Sequence, residues 1–477
     1  MKKIIITLLT MTCSVMSYSQ IDTVSFTEQA VHLFPSFPVK SSYTSLFDKR
    51  NGMNIVYSAN MESGLGIYDV SASSVINPIL DFGVANFNNL DVSTIEQRGN
   101  SLFVGIGDFQ VNSNSSSGLA ILDISIPNSP IIKDIWDSTL FDHGISHLIL
   151  DGNYAYLSTM TDGIIILDIS NENDIVFKSH LQLDLNFPAP STNAHNARGL
   201  KYRNDTLFVC FDRGGIRVID VISKTNPVEI YKYINNSLNS QAAAAYNDIA
   251  IKGNFAFVSV DYCGLEVLDI STIPFTSVQW YNPWGCNSSN WSGADLHTNE
   301  VVLSNNDSLL FVSAGQSELF VFDVTNALNV LKVGEFINLN DTLATHGLDV
   351  WNDKVVLSFI HTPVHIPPFT PFFADPGGLK LLDYNVTTIP ASVYEAPGKT
   401  VSISVYPNPN QSEKLLITGN AEITDISVLN SLGKVVYIDF DIYIKEYAMD
   451  ISSFAEGIYF LSINTNDERI TRKIIIN

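Results

Sequence analysis

A short refrain recurs along this chain and constrains its fold more than any other feature. Its seven copies begin with Gly64, Gly118, Gly163, Gly215, Gly264, Glu318 and Gly378, and read GLGIYDV, GLAILDI, GIIILDI, GIRVIDV, GLEVLDI, ELFVFDV and GLKLLDY. Their aspartates are Asp69, Asp123, Asp168, Asp220, Asp269, Asp323 and Asp383, separated by 54, 45, 52, 49, 54 and 60 residues. A period near fifty residues with short apolar segments is typical of a propeller or a solenoid.

The columns of the refrain predict a β-strand. The second and fourth positions are aliphatic in every copy, whereas the third ranges from Gly66 to Lys380, so the pattern has a period of two. Two strand-like segments precede each refrain, and a turn leading to an outer strand follows it. We therefore predict an all-β chain with a seven-bladed β-propeller of four-stranded blades over residues 20–395. The repeated aspartate is expected to close the third strand by accepting turn N–H bonds, rather than to bind metal.

The last copy leaves little chain for an outer strand of its own. We expect the leading segment Thr23–Leu33 to supply that strand and close the ring, so that no strand edge stays unpaired.

The refrain and the accompanying "AYLS" segment resemble the LVIVD repeat over roughly residues 21–392. That resemblance implies an exported β-propeller and carries no catalytic residue with it.

The start of the chain and its charge bear on its destination. Residues 1–19 place two lysines ahead of a short apolar run and end in Ser17-Tyr18-Ser19, which is typical of a cleavable secretory signal. No later apolar run is long enough to span a bilayer. The formal net charge of -23 argues against nucleic acid or an anionic membrane as partner. We expect an exported monomer without a transmembrane segment.

The composition changes after a linker at residues 396–402, and residues 403–477 form a block of their own. Its pattern comprises Tyr406, Pro407, Asn408, Pro409, Gly433, Lys434, Gly457, Tyr459 and Lys473. The alternating strands predict a small β-sandwich. In this order the motifs resemble the type A C-terminal sorting domain of the type IX secretion system of the Bacteroidota. The resemblance implies that type IX machinery exports the chain across both membranes to the cell surface or the extracellular space.

Three irregular segments are predicted to share one face of the propeller, because strands of a blade alternate in direction. They are Gly107–Ser117, Gln279–Trp291 and His361–Gly377. They carry the aromatic residues Trp280, Tyr281, Trp284, Trp291, Phe369, Phe372 and Phe373. Flat aromatic rings on loops suit sugar rings or a protein partner, and they equally suit a roof packed on the propeller's own core.

Histidines and cysteines provide further candidates. His143, His195, His297 and His346 are expected near the channel mouth, where they would either bind a divalent metal or form hydrogen bonds at strand starts. Cys263 and Cys286 are expected on the same face, where an oxidising compartment favours their disulfide. No cofactor is predicted.

The sequence leaves three functional hypotheses. The leading one is a cell-surface or secreted module that binds protein or glycan without catalysis. The alternatives are an enzyme or metal-binding propeller that uses the channel histidines, and a purely structural or adhesive surface protein. The sequence contains no nucleophile elbow, phosphate-binding loop or paired zinc motif.

Overall fold

The computed structural model describes residues 21–35, 40–108, 116–188, 195–239, 245–282, 286, 298–315, 318–338, 341–361, 374–389, 402–431, 435–439, 442–465 and 469–477. The chain divides into two compact units, Met1–Pro390 and Ala391–Asn477. In the described part of the chain, no helix is both long enough and apolar enough to cross a membrane.

The first unit contains seven four-stranded antiparallel sheets, which are the blades of a propeller. The strand β1 (Ile21–Leu33) precedes the first blade. Blade 1 comprises β2 (Thr44–Phe47), β3 (Ile55–Ala59), β4 (Leu65–Asp69) and β5 (Asn77–Phe82). Blade 2 comprises β6 (Val92–Arg98), β7 (Ser101–Ile106), β8 (Ser117–Asp123) and β9 (Ile131–Ser138). Blade 3 comprises β10 (His147–Asp151), β11 (Tyr154–Ser158), β12 (Ile164–Asp168) and β13 (Val176–Leu181).

Blade 4 comprises β14 (Leu200–Arg203), β15 (Thr206–Cys210), β16 (Ile216–Asp220) and β17 (Val228–Tyr233). Blade 5 comprises β18 (Tyr246–Lys252), β19 (Phe255–Val260), β20 (Leu265–Asp269) and β21 (Thr276–Tyr281). Blade 6 comprises β22 (Thr298–Leu303), β23 (Leu309–Ala314), β24 (Leu319–Asp323) and β25 (Leu331–Phe336). Blade 7 comprises β26 (Thr345–Trp351), β27 (Lys354–Phe359), β28 (Gly378–Ile389) and β1. Among the described residues, the helical segments are a 3-10 turn at Val84–Asn86 and α1 (Asn236–Asn239).

The N-terminal strand closes the ring, as predicted from the shortage of chain after the last refrain. β1 pairs antiparallel with β28, so that Ile21 lies opposite Ile389 and Leu33 lies opposite Gly378. The ladder has one bulge, between Glu28 and Ala30. The outer strand of blade 7 therefore comes from the opposite end of the propeller sequence.

The refrain is the third strand of every blade, and its aspartate shapes the turn that follows. In the first six copies the carboxylate accepts a hydrogen bond of 2.7–2.9 Å from the backbone N–H two residues later. This confirms the turn-forming role predicted for these residues. The seventh copy differs because β28 continues to Ile389, and Asp383 instead pairs with Lys354 Nζ at 2.6 Å.

The core lies between the blades. Ile164 and Ile166 of blade 3, for example, pack in one buried cluster with Val209 and Ile219 of blade 4. Hydrogen bonds also cross this boundary, because Ser158 at the end of β11 donates to the carbonyl of Arg198 in the segment entering blade 4. Each blade thus buries both faces of its sheet against its neighbours.

Charged residues in the third column of the refrain are buried with partners. Arg217 donates to Glu229 Oε1 at 2.7 Å, and Glu266 accepts from the hydroxyl of Tyr233 at 2.8 Å. Lys380 pairs with Glu318 at 2.8 Å. Glu318 stands in the place of the refrain's first glycine and has a φ of 60°. The third position of the refrain therefore varies in residue type although its charged side chains are buried from solvent.

The second unit is a six-stranded antiparallel arrangement. Its strands are β29 (Ile403–Tyr406), β30 (Lys414–Asn430), β31 (Val435–Asp439), β32 (Ile444–Asp450), β33 (Gly457–Thr465) and β34 (Arg469–Ile476). The first part of β30 pairs with β29 and β32, and its last part pairs with β31 and β33. Leu415, Ile417, Val428, Leu461 and Ile474 form the centre of its core.

Candidate functional site at the looped face

One face of the propeller is formed by the turns between second and third strands and by the segments that enter each next blade; we call it the looped face. Isolated β-bridges join the two kinds of segment. They pair Met61 with Val92, Met160 with Ala197, Asp212 with Tyr246, Asp261 with Thr298, and Gly315 with Thr345. This confirms that both kinds of connection share a face.

Two of the predicted aromatic residues are anchored to the propeller body. Trp280 lies in β21, where its Nε1 donates to the carbonyl of Cys263 at 2.7 Å. The Tyr281 ring packs edge-on against Phe322, with centroids 5.0 Å apart. Both rings are partly buried and pack against core clusters of the propeller. Five further predicted contacts lie outside the described residues: Trp284, Trp291, Phe369, Phe372 and Phe373.

A disulfide fixes one segment to the looped face. It joins Cys263 to Cys286, with a Cα–Cα distance of 4.4 Å. Cys263 lies in the turn between β19 and β20, and Cys286 lies in the segment after β21. Both cysteines are buried, and Asn282 Nδ2 lies 3.2 Å from Cys286 Sγ. Cys210 is a buried free thiol whose pKa is raised by burial.

The starts of the inner strands surround a small polar cavity of about 50 Å³. It is lined by Ser146, His147, Arg198, Gly199, Asn247, Asp248, Asn299, Glu300 and His346. A space of this size admits a few waters or an ion, whereas sites for sugar-sized ligands are several times larger. The cavity bounded by these nine described residues is therefore too small for a sugar-sized ligand.

Buried carboxylates in this region connect consecutive blades. Asp248 of blade 5 accepts from Val301 N at 3.0 Å, and Glu300 of blade 6 accepts from Leu348 N at 2.9 Å. Asp349 of blade 7 accepts from Phe47 N at 2.9 Å. Each carboxylate thus satisfies a backbone donor that the next blade leaves free.

Burial shifts the proton affinities of these groups. It raises the pKa of Asp248 to about 6 and that of Glu300 to about 8, and the neighbouring Asp248 adds to the shift at Glu300. Burial, assisted by Lys201, lowers the pKa of His147 to about 3. Near pH 7, Glu300 is therefore mostly protonated and His147 is neutral. The bonds that Asp248, Glu300 and Asp349 form to neighbouring blades indicate a structural role for these carboxylates.

Sequence reasoning missed His147, Asp248 and Glu300. Two of them could have been found by counting back from the refrain, since His147 and Asp248 occupy the same position, 21 residues before the refrain aspartate of their blade. Their counterpart in blade 4 is Gly199, where a Cβ would lie 2.3 Å from the Asp248 carboxylate. Glu300 stands 23 residues before Asp323, so its register is shifted and the same count does not find it.

Acidic side chains lie close to one another at the looped face between blades 1 and 2. Burial, with repulsion from Asp108 and Glu62, raises the pKa of Asp91 to about 6. Burial likewise raises the pKa of Glu62. An anionic ligand would meet unfavourable charge here.

The structure does not bring the predicted histidines together. His195 is buried and its Nε2 lies 2.8 Å from the carbonyl of Phe187, while His346 Nδ1 lies 3.0 Å from the carbonyl of Tyr43. His143 is exposed beside two aspartates, and His297 lies outside the described residues. Among the described residues, the group of three potential metal ligands within 4.8 Å of one another contains His143 but neither His195 nor His346, so a shared histidine metal site stays a prediction.

In the second unit, the Pro-Asn motif is tied to the last strand. Asn408 Nδ2 donates to the carbonyl of Lys473 at 2.7 Å, and Asn408 Oδ1 accepts from Ile475 N at 2.9 Å. Pro407 and Pro409 flank this side chain, and Tyr406 is half exposed. Tyr459, two residues after Gly457 begins β33, is buried and donates to the carbonyl of Ala455 at 2.8 Å. Gly433 and Lys434 lie outside the described residues.

Two families match parts of the chain. Residues 404–477 match the secretion system C-terminal sorting domain, and residues 113–138, 146–182 and 245–273 match the LVIVD repeat. No curated protein matches.

Among solved structures, a chain of the mitotic checkpoint complex has a TM-score of 0.51 at 13% identity, covering 74% of this chain and 93% of that one. The computationally designed Ika8 protein has a TM-score of 0.41 at 12% identity, covering 75% of this chain and 99% of that one. The first likeness shows a shared propeller fold and says nothing about function.

Proposed function

We propose that this chain is a non-enzymatic β-propeller that binds a protein or a glycan through its looped face. It carries LVIVD repeats and a C-terminal sorting domain of the type IX secretion system, and so is exported to the cell surface or the extracellular space. We propose that the chain interacts with the type IX secretion machinery during export. We also propose that it acts as a monomer.

The observation that carries this proposal is the uneven distribution of loop length. On the opposite face, first and second strands are joined by two residues in blades 2, 3, 4, 5 and 7. On the looped face, ten residues separate β7 from β8, eighteen separate β27 from β28, and sixteen separate β21 from β22. Long connections held on a rigid scaffold are where binding residues concentrate.

The chemistry of the looped face narrows the ligand. The acidic groups around Asp91 disfavour anions, so a neutral glycan or a basic protein surface is the better partner. By sequence, the long segments carry Trp284, Trp291, Phe369 and Phe372, whose rings would provide the apolar contacts. Cys286, which stands between Trp284 and Trp291 in the sequence, is tied to Cys263 by the disulfide, and a fixed attachment of this kind reduces the entropy lost on binding.

The test uses the full chain on glycan arrays and in pull-downs against surface proteins. Trp284→Ala combined with Trp291→Ala is expected to weaken binding by about 30-fold, which corresponds to about 2 kcal/mol for a hot-spot aromatic residue. The matched control is Ile222→Ala, which removes a side chain that is 72% exposed outside the looped face.

Binding that persists in the double variant, or that is lost in the control, would refute a ligand site at the looped face. Arrays and pull-downs that both stay empty would favour a structural or adhesive role. Light scattering after size exclusion tests the proposed monomer.

A further inference from the structure

Three metal-ligating side chains meet at the rim of the looped face between blades 2 and 3. His143 Nδ1 lies 3.0 Å from Asp162 Oδ2 and 3.2 Å from Asp142 Oδ1. One ligand atom from each residue lies within 4.8 Å of the other two, and no other described group of three has this spacing. His143 and Asp142 are about half exposed, so an ion can reach them from solvent.

These distances are on the scale of a coordination sphere. Zinc binds nitrogen and oxygen at about 2.1 Å, so neighbouring ligand atoms of a tetrahedral site lie about 3.4 Å apart. A hydrogen bond from His143 to a carboxylate accounts for one of the two short distances, but it does not require a second carboxylate beside the same nitrogen.

Comparison with the next blade shows that the fold does not need this cluster. His143 and His195 both stand 25 residues before their refrain aspartates, so they occupy equivalent positions. In blade 4 the counterparts of Asp142 and Asp162 are Ala194 and Gly214, and His195 bonds to a backbone carbonyl instead. Both carboxylates are therefore departures from the repeat at an otherwise shared histidine.

The backbone around Asp162 fixes the position of its carboxylate. Asp162 N donates to the carbonyl of Thr159 at 2.9 Å, and His180 bonds to the carbonyl of Asp162. Asp142 N donates to Asp162 Oδ2 at 3.0 Å, which joins the two contributing segments. A site supported in this way loses little entropy when an ion binds.

We propose that Asp142, His143 and Asp162 bind a divalent transition metal of the zinc type. Imidazole nitrogen favours zinc and its neighbours over calcium or magnesium, and calcium would require six or more oxygen ligands. Three protein ligands leave at least one position for water or for an oxygen of a bound partner.

The test is calorimetric titration of the metal-free full chain with zinc chloride, and separately with calcium chloride. We expect one zinc per chain and much weaker binding of calcium. His143→Ala and Asp162→Asn are each expected to weaken zinc binding by about 10- to 100-fold, a range that even the outer partners of metal ligands reach. Cobalt substitution should give an absorption spectrum that is lost in the same variants.

Two control variants complete the design. Asp137→Asn removes an exposed carboxylate just upstream of the site, and Asp91→Asn removes one from the acidic group at the looped face between blades 1 and 2. Both should bind zinc as the unmodified chain does, and circular dichroism should show that all variants are folded. The proposal is overturned if the unmodified chain binds no zinc, if binding survives in folded His143→Ala, or if Asp91→Asn abolishes it.

Discussion

Replacement of Lys380 by methionine tests the buried ion pair between blades 6 and 7. Lys380 Nζ lies 2.9 and 2.8 Å from the two carboxylate oxygens of Glu318, and both residues are almost fully buried. The ammonium also lies 5.0 Å from the ring centroid of Phe336. Burial raises the pKa of Glu318 to about 7, and Lys380 opposes that shift.

Lys380→Met leaves the Glu318 carboxylate without its partner in the core. Removal of one member of a buried pair costs about 3–5 kcal/mol in the free energy of unfolding. The cost should shrink at acidic pH, because the native state then holds Glu318 in its protonated form. Since the native pKa lies above the unfolded value, the stability from this protonation is present at low pH and is lost as the pH rises through the native pKa.

A second substitution in the same pair distinguishes this explanation from simple loss of packing. Glu318→Gly restores the residue that the refrain has in its other copies, at a φ of 60° that glycine adopts without strain. The double variant Glu318→Gly with Lys380→Met should recover most of the lost stability, because no unpaired charge remains in the core; Glu28, the second carboxylate near Lys380, is about half exposed. Lys332→Met, which breaks a partly exposed pair with Glu335, should cost no more than about 1 kcal/mol.

The assay is urea unfolding at pH 7.5 and pH 5.5, followed by tryptophan fluorescence. A loss below about 1 kcal/mol for Lys380→Met, or a double variant no more stable than that single variant, would refute the reasoning.

Three further predictions concern other parts of the chain. Burial raises the pKa of Glu300 to about 8, so the free energy of unfolding should fall between pH 7 and pH 9; in Glu300→Gln, urea unfolding at both values should show a smaller fall. Asn408→Ala removes both side-chain bonds to β34 and should destabilise the second unit by about 1–3 kcal/mol; amide exchange at Ile475 should quicken, and unchanged exchange would contradict the role of Asn408. Val24→Asp places a charge in the core shared with Phe311 and should release β1; limited proteolysis should then cut near the N-terminus, and resistance equal to that of the unmodified chain would count against ring closure by β1.

The repeat allowed the fold to be predicted from local patterns. Alternation within the refrain identified a strand, its period identified the blades, and the shortage of chain after Asp383 identified β1 as the closing strand. Each of these inferences depends on one segment or on a count of residues.

The candidate sites were harder to predict because they depend on distances between blades. His143 and His195 have the same register, yet one is exposed beside two carboxylates and the other is buried against a carbonyl. The alternation in the refrain likewise shows which face Lys380 occupies, but not that Glu318 lies opposite. Contacts of this kind are set by the geometry of the ring, which a single strand does not encode.

The pairing of β1 with β28 also determines the order in which the chain can become complete. Ile21 and Ile389 are 368 residues apart, and closing a flexible loop of that length costs about 5 kcal/mol in chain entropy. Blades 1 to 6 use strands that are close in sequence, so they can assemble before blade 7 has its outer strand. The residues that match the sorting domain, 404–477, all follow β28. A chain that ends before β28 therefore lacks both the partner strand of β1 and the residues that match the sorting domain, so such a product has neither a closed ring nor this export signal.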